Sequence, residues 1–241
     1  MSARKAKAPG DTAKVLLFDI DGTLIRAGGS GRKALNEAAF RLYGHRDAAS
    51  ELSLAGQTDL ANFQAAIRVS TGRRGTPAEV ERLHREYLRH LPRFVRKAER
   101  LGTYKLPPGI RRLLDRLRRE PGVVLGLGTG NVEKGARIKL GPSGFNAYFP
   151  FGGFGCDSHA RHRLLRKAVQ RARPFVGKRK MEVFVIGDTP LDVAAGRRAG
   201  CKTIAVGTGF AEWADLVKAR PDHLARDFRE ISKWLTWFRI K

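Results

Sequence analysis

The chain has 241 residues, 42% of them hydrophobic, and a formal net charge of +24. That length fits one large domain or a core with a smaller insertion, and the apolar content rules out a wholly disordered or collagen-like chain. Two cysteines, Cys156 and Cys201, are too few and too distant for a disulfide framework, so a reducing cytoplasm is the expected setting.

The first thirteen residues carry Arg4, Lys5 and Lys7 with no hydrophobic stretch behind them, and are expected to form a disordered basic tail (1–13). Val15-Leu16-Leu17-Phe18 is a short apolar run of the kind found in buried parallel strands. It stops at Asp19 and passes into the turn-like Asp21-Gly22-Thr23. From about residue 27 to 107 no strand pattern appears. Ala34, Leu35, Ala38, Ala39 and Leu42 form one helical stripe, and Val80, Leu83, Tyr87, Leu88, Leu91, Phe94 and Val95 another. Pro92 is expected to kink or break the second. Gly28-Gly29-Ser30-Gly31 and Leu106-Pro107-Pro108-Gly109 punctuate the two ends of this stretch.

Strand signals return at Val123–Leu127, Val183–Ile186 and Thr203–Val206, with helical stripes between them at Ile110–Leu117 and Leu164–Ala172. Alternating strands and helices predict an α/β fold, a doubly wound (Rossmann-like) parallel sheet with an inserted all-α cap subdomain. The core is expected over 14–26 and 108–241 and the cap over 27–107. Trp234, Trp237 and Phe238, with Ile231 and Leu235, read as a terminal helix packed on the core. No apolar run approaches the roughly 20 residues that span a bilayer, so no membrane role is expected. No feature of the sequence sets an oligomeric state.

In such sheets ligands bind beyond the carboxyl ends of the strands, which puts Asp19, Thr129 and Asp188 on one rim. Two carboxylates two residues apart, Asp19 and Asp21, reach one pocket only if the chain turns after Ile20, and Gly22 supplies that turn. One carboxylate can then attack while the other moves a proton. An anionic attacker and an anionic phosphate repel each other, so a divalent cation is needed between them, and Asp188 is a hard oxygen ligand suited to Mg²⁺.

Taken in order, Asp19-Ile20-Asp21-Gly22-Thr23-Leu24, Thr129-Gly130-Asn131 and Gly187-Asp188-Thr189-Pro190-Leu191-Asp192 resemble motifs of the haloacid dehalogenase superfamily, across nearly the whole chain. The helical insertion resembles the cap of its phosphoglycolate-phosphatase-like branch. The resemblance implies a Mg²⁺-dependent phosphomonoester hydrolase that acts through an aspartyl-phosphate on a small phosphorylated metabolite. Asp19 would be nucleophile and metal ligand. Asp21 would be general acid and base, with its carbonyl also on the metal; the dehalogenases of the superfamily lack this second carboxylate. Thr129, Gly130 and Asn131 would bind phosphate, Asp188 would complete the metal site and Asp192 would support it. A phosphomutase of the same superfamily is the alternative.

The superfamily's third motif, usually a lysine, has no direct counterpart. Arg161 fits best because it opens a basic helix and can present a bidentate fork to phosphate, with Arg163 and Lys139 as competitors. In the insertion, Gly56-Gln57-Thr58-Asp59 resembles the substrate-facing loop of related caps, which makes Gln57 and Thr58 candidate substrate contacts. A helix N-cap is the other reading of this tetrapeptide. Cys156, His159 and His162 are spaced three apart, but a fourth ligand for a closed zinc site is lacking nearby.

The charge is concentrated. Residues 71–120 hold fifteen Lys/Arg against six Asp/Glu, and residues 161–180 hold nine against none. Solvated helix faces explain this, the long side chains covering apolar surface with their stems. A nucleic-acid-associated basic protein is the rival reading, but neither window has the regularly spaced aromatics of a single-strand binder.

Overall fold

The computed structural model describes residues 11–240. The tail expected over 1–13 lies outside them as far as residue 10; Thr12 and Ala13 already belong to the first strand, β1 (Thr12–Phe18). A short β2 (Arg26–Ala27) leads into three helices, α1 (Ser30–Tyr43), α2 (Asp59–Thr71) and α3 (Pro77–Arg100), and β3 (Tyr104–Lys105) returns from them. β2 and β3 pair antiparallel, Arg26 opposite Lys105 and Ala27 opposite Tyr104, so entry and exit of the helical insertion share one two-stranded ribbon.

After β3 the chain alternates: α4 (Ile110–Leu117), β4 (Val123–Gly128), α5 (Glu133–Leu140), β5 (Gly152–Gly153), α6 (Arg161–Val176), β6 (Lys180–Gly187), α7 (Pro190–Arg198), β7 (Lys202–Val206), α8 (Trp213–Lys218), β8 (His223–Ala225) and α9 (Ile231–Trp237). The six strands outside the ribbon form one parallel sheet in the order β5-β4-β1-β6-β7-β8. β1 sits in the middle, so its last residue opens onto the centre of the rim.

Alternation along β1 divides the core into two layers. Leu16 and Phe18 face a cluster that includes Leu113 and Leu114 of α4, Phe145, Phe149 and Trp234 of α9. Val15 and Leu17 face the other side, against Leu164, Leu165 and Ala168 of α6. Both layers are dry, which is why β1 reads as an unbroken apolar run. Trp234 is fully buried, stacked on Phe228 with ring centroids 4.9 Å apart, and α9 packs on the core as its pattern suggested.

The insertion has its own core, built from Ala34, Leu35 and Ala38 of α1, Phe63 and Ile67 of α2, and Leu83, Tyr87, Leu91 and Val95 of α3. Val132 belongs to the same cluster, so the start of α5 is apolar ground shared by the two parts. Pro92 does not break α3, which continues through it as one helix. A capping box of Thr76 and Glu79, with Pro77 in the first turn, starts it firmly, and the buried face on both sides of Pro92 holds it against the rest of the insertion. Packing outweighs the one hydrogen bond that a proline removes. No helix of the described residues is long and apolar enough to cross a membrane.

Candidate active site

β1 ends at Phe18, and the Asp19 N–H still donates to the Ile186 carbonyl, 2.9 Å away, so the Asp19 side chain is aimed from the sheet edge. The chain then folds back: Leu24 and Ile25 both donate to the Ile20 carbonyl, and Gly22 takes φ = +87°. A Cβ on Gly22 would overlap the Asp188 carboxylate, so the turn needs glycine for both its dihedral and its space. The turn delivers both Asp19 and Asp21 to one cavity of about 700 Å³ between the sheet rim and the helical insertion.

Around Asp19 three carboxylates converge. Asp19, Asp188 and Asp192 each offer an oxygen, and these atoms lie within 4.8 Å of one another. Asp188 accepts from the Thr23 hydroxyl at 3.2 Å and from the Phe210 N–H at 3.0 Å. Asp192 lies in the first turn of α7, where one oxygen accepts from the Thr189 N–H and hydroxyl, and the other pairs with Arg161. Arg161 also reaches Asp19 at 3.0 Å and donates to the Gly56 carbonyl at 3.1 Å. One guanidinium therefore serves two carboxylates and a loop of the insertion.

That balance is visible in the protonation energetics. Burial pushes the Asp19 carboxyl up to about 6, with Arg161 pulling it back and Asp192 and Asp21 adding to the rise. Asp188 is raised well above the usual carboxylate range by burial and by its two acidic neighbours. Burial works against the charge of Arg161, but Asp192, Asp19 and Asp188 outweigh it and hold the guanidinium protonated. A buried triad of carboxylates with one cation is short of positive charge. Its donor set is all oxygen, which fits a hard divalent cation such as Mg²⁺. Asp19 and Asp188 would hold such an ion, with Asp192 beside them.

A second cluster surrounds Asp21. Lys139 of α5 donates to Asp21 Oδ2 and to Asn131 Oδ1, each at 2.6 Å, and Asn131 Nδ2 donates to the same Asp21 oxygen at 2.9 Å. Asn131 Nδ2 also donates to the Thr129 hydroxyl, which bonds Asp19. A single chain of hydrogen bonds thus links both carboxylates. Burial opposes the charge on Lys139, yet Asp21, Tyr87 and Asp59 together raise it well above the usual lysine range.

The insertion closes over this from above. The Asp59 N–H donates to the Gly130 carbonyl at 2.7 Å, and Asp59 Oδ2 accepts from the Val132 N–H at 2.9 Å. Gly130 has no room for a side chain because a Cβ would strike the Gln57 carbonyl. Gln57 lines the cavity, as do Gly130, Asn131 and Arg161. Thr58 is the N-cap of α2, its hydroxyl accepting from Ala61 N–H, and it does not line the cavity.

Of the three basic residues considered for the phosphate, Arg161 meets Asp19, Lys139 meets Asp21, and Arg163 is exposed. Cys156 and His159 are exposed, and among the described residues the one group of three potential ligands is the aspartate triad, so no zinc cluster forms at Cys156, His159 and His162. Sequence reasoning missed Ser30, Asn62, Tyr87 and Phe210, which also line the cavity. Tyr87 lies in an apolar helical stripe and is indistinguishable there from a core residue; Ser30, Asn62 and Phe210 carry no local signal.

A sequence profile described as haloacid dehalogenase-like hydrolase matches residues 13–200. No curated protein matches significantly. Among solved structures, a "predicted phosphatase" from Clostridium acetobutylicum shares 19% identity and a TM-score of 0.69, over 94% of this chain and 99% of that one. A "predicted phosphoglycolate phosphatase" from Haemophilus somnus 129PT gives 18% and 0.66, over 93% and 98%. CbbY from Rhodobacter sphaeroides, in complex with phosphate, gives 21% and 0.65, over 91% and 96%. At these identities the likeness is one of fold.

Proposed function

Because the chain belongs to the haloacid dehalogenase-like hydrolases, we propose that it is a Mg²⁺-dependent phosphatase acting on a small phosphorylated metabolite. The observation that carries this reading is the pair of carboxylates, Asp19 and Asp21, delivered to one cavity by the Gly22 turn, with Arg161 on the first and Lys139 on the second. The names of the structural neighbours agree with it, two of them being called a "predicted phosphatase" and a "predicted phosphoglycolate phosphatase" and one being in complex with phosphate.

In this mechanism an Asp19 oxygen attacks phosphorus, the bond to the leaving alcohol breaks, and Asp21 donates its proton to the departing oxygen. Asp21, now a carboxylate, takes a proton from water, whose oxygen attacks phosphorus, frees Asp19 and releases inorganic phosphate. Arg161 binds phosphoryl oxygens as it holds Asp19 in line. Gly130 and Asn131 border the same space, where the backbone N–H of Gly130 would meet the phosphate, and the Thr129 hydroxyl bonds the Asp19 carboxylate. A bound Mg²⁺, held by Asp19 and Asp188 with the Asp21 carbonyl, would screen the repulsion between attacker and phosphate.

Purified protein with Mg²⁺ and p-nitrophenyl phosphate tests the reading. Wild type is expected to release phosphate, and Asp19→Asn is expected to lose at least a thousandfold in kcat. Turnover surviving in Asp19→Asn would remove the nucleophile assignment. Transfer of phosphate back to substrate, with none appearing in solution, would favour a mutase.

A further inference from the structure

The face of α3 turned away from the core of the insertion carries a row of arginines. Arg82, Arg85, Arg89, Arg93, Arg96 and Arg100 recur three and four residues apart, and all six are exposed. At 3.6 residues per turn they fall within a sector of about 80°, opposite the buried Leu83, Tyr87, Leu91 and Val95, and form a straight row about 27 Å long. Lys97, also exposed, stands beside it. Of these seven cations only Arg89 makes an ion pair among the described residues, with Glu86 at 2.8 Å. Two further acids of the helix are engaged elsewhere, Glu79 with Arg73 and Glu81 with His84. Other helices of the molecule do give arginine a glutamate four residues away, as in Arg41–Glu37 and Arg137–Glu133. Like charges three and four apart destabilise a helix, so the row carries a repulsion that a solvated face with interleaved acids avoids. Arg93, Arg96, Lys97 and Arg100, with Glu99, also line a surface hollow of about 440 Å³, four cations against one carboxylate.

From this row we infer that the outer face of the insertion binds the phosphate backbone of a double-stranded nucleic acid without reading its sequence. None of the row lines the cavity that holds Asp19 and Asp21, so the inference stands apart from the phosphatase reading. A duplex presents one negative charge per ~1.7 Å of axis, about sixteen over the length of the row, in a uniform line that a straight row of cations matches. Six of the seven cations are arginines, whose guanidinium forks take phosphate oxygens in pairs. Unpaired bases would need aromatic platforms. Phe94, the aromatic beside the row, is half-buried, and the Arg93 guanidinium lies 5.7 Å from its ring centroid. An anionic bilayer would be met by apolar side chains inserted beside the cations, and Leu101 is the one large apolar side chain exposed at this helix.

Fluorescence anisotropy of the full chain with labelled DNA and RNA duplexes of about 20 base pairs, more than twice the length of the row, tests this. Wild type is expected to bind, with log K for the DNA duplex falling against log salt at about −0.9 per phosphate neutralised. The triple variant Arg93→Gln, Arg96→Gln, Arg100→Gln is expected to bind roughly tenfold or more weakly, with a slope shallower by about 2.7, the share of three phosphates. The same three charges removed at exposed positions on and after α6, in Arg163→Gln, Lys167→Gln, Lys178→Gln, are expected to change affinity by less than about threefold. Circular dichroism checks that both triple variants keep the helix content of wild type. Equal losses in the two would mean that overall charge, and not the row, attracts the duplex, and would overturn the inference. So would failure of both duplexes to bind at about 50 mM salt. Tighter binding to a single strand of the same length, or to vesicles containing phosphatidylserine, would give the row a different partner and overturn it as well.

Discussion

Lys139 Nζ lies 2.6 Å from Asp21 Oδ2, and the same ammonium holds Asn131 Oδ1 at 2.6 Å. The lysine side chain is 7% exposed and the aspartate 32%, so a buried cation pins a carboxylate that still opens to the cavity. Arg161 holds Asp19 in a parallel way from the other side. Each of the two carboxylates that carry the proposed chemistry has its own cation, drawn from a different helix.

Lys139→Met should therefore damage the site as well as the fold. Removing one partner of a buried pair costs several kcal/mol; the opening around Asp21 admits water and reduces this to about 2 kcal/mol. Thermal unfolding should show a lower Tm, and kcat measured on the folded protein should drop tenfold or more because Asp21 and Asn131 lose their common anchor. An unaltered kcat would show that Asp21 does not depend on this contact.

Asp19→Asn should abolish turnover without costing stability. The Asp19 carboxyl is raised to about 6 from 3.8, and a raised carboxyl contributes stability below the unfolded value that is lost as pH rises through the folded one. Without divalent cation, wild type should thus weaken between about pH 4 and pH 6, by on the order of 3 kcal/mol from this group. The Asn variant lacks that ionisation, so its Tm should fall less across the window and match or exceed wild type at pH 7. Denaturation curves of both proteins across that range, in chelator, make the comparison.

Divalent cation should raise the Tm of wild type, since an ion bound only by the folded state adds about 2.7 kcal/mol at a hundred times its Kd. Asp188→Asn removes an oxygen of the triad that Asp19 and Asp192 complete, and should largely cancel the rise. A titration of Mg²⁺ against Tm reads this without any substrate. Equal shifts in both proteins would place the ion elsewhere.

Trp234→Ala should cost about 3–5 kcal/mol, the range for emptying a fully buried aromatic site. The indole packs against Phe228 and Phe238 at the far side of the core from α6, so the loss should appear in urea unfolding. Turnover of the protein that remains folded should stay near wild type.

Much of this molecule follows from local pattern. Val15–Phe18, the later apolar runs and their punctuation specify parallel strands because both faces of such a sheet are dry, and the motif residues sit where those strands end. The Gly22 turn is likewise written locally, in a residue that tolerates φ = +87°. The sequence alone therefore determined the α/β core, the inserted helices, and Asp19, Asp21, Thr129 and Asp188 as rim residues. Periodicity marks which helical face is buried but not what that face meets. Lys139 resembles its many solvated neighbours in a chain of 47 Lys/Arg, and Tyr87 resembles core, until α3 and α5 pack together and bring both beside Gly31. Pro92 misleads for the same reason, since a helix held along its apolar face by α1 survives a missing N–H. Only the tertiary structure decided that Arg161 serves Asp19 while Lys139 serves Asp21, because each contact joins segments more than a hundred residues apart whose meeting no local pattern encodes.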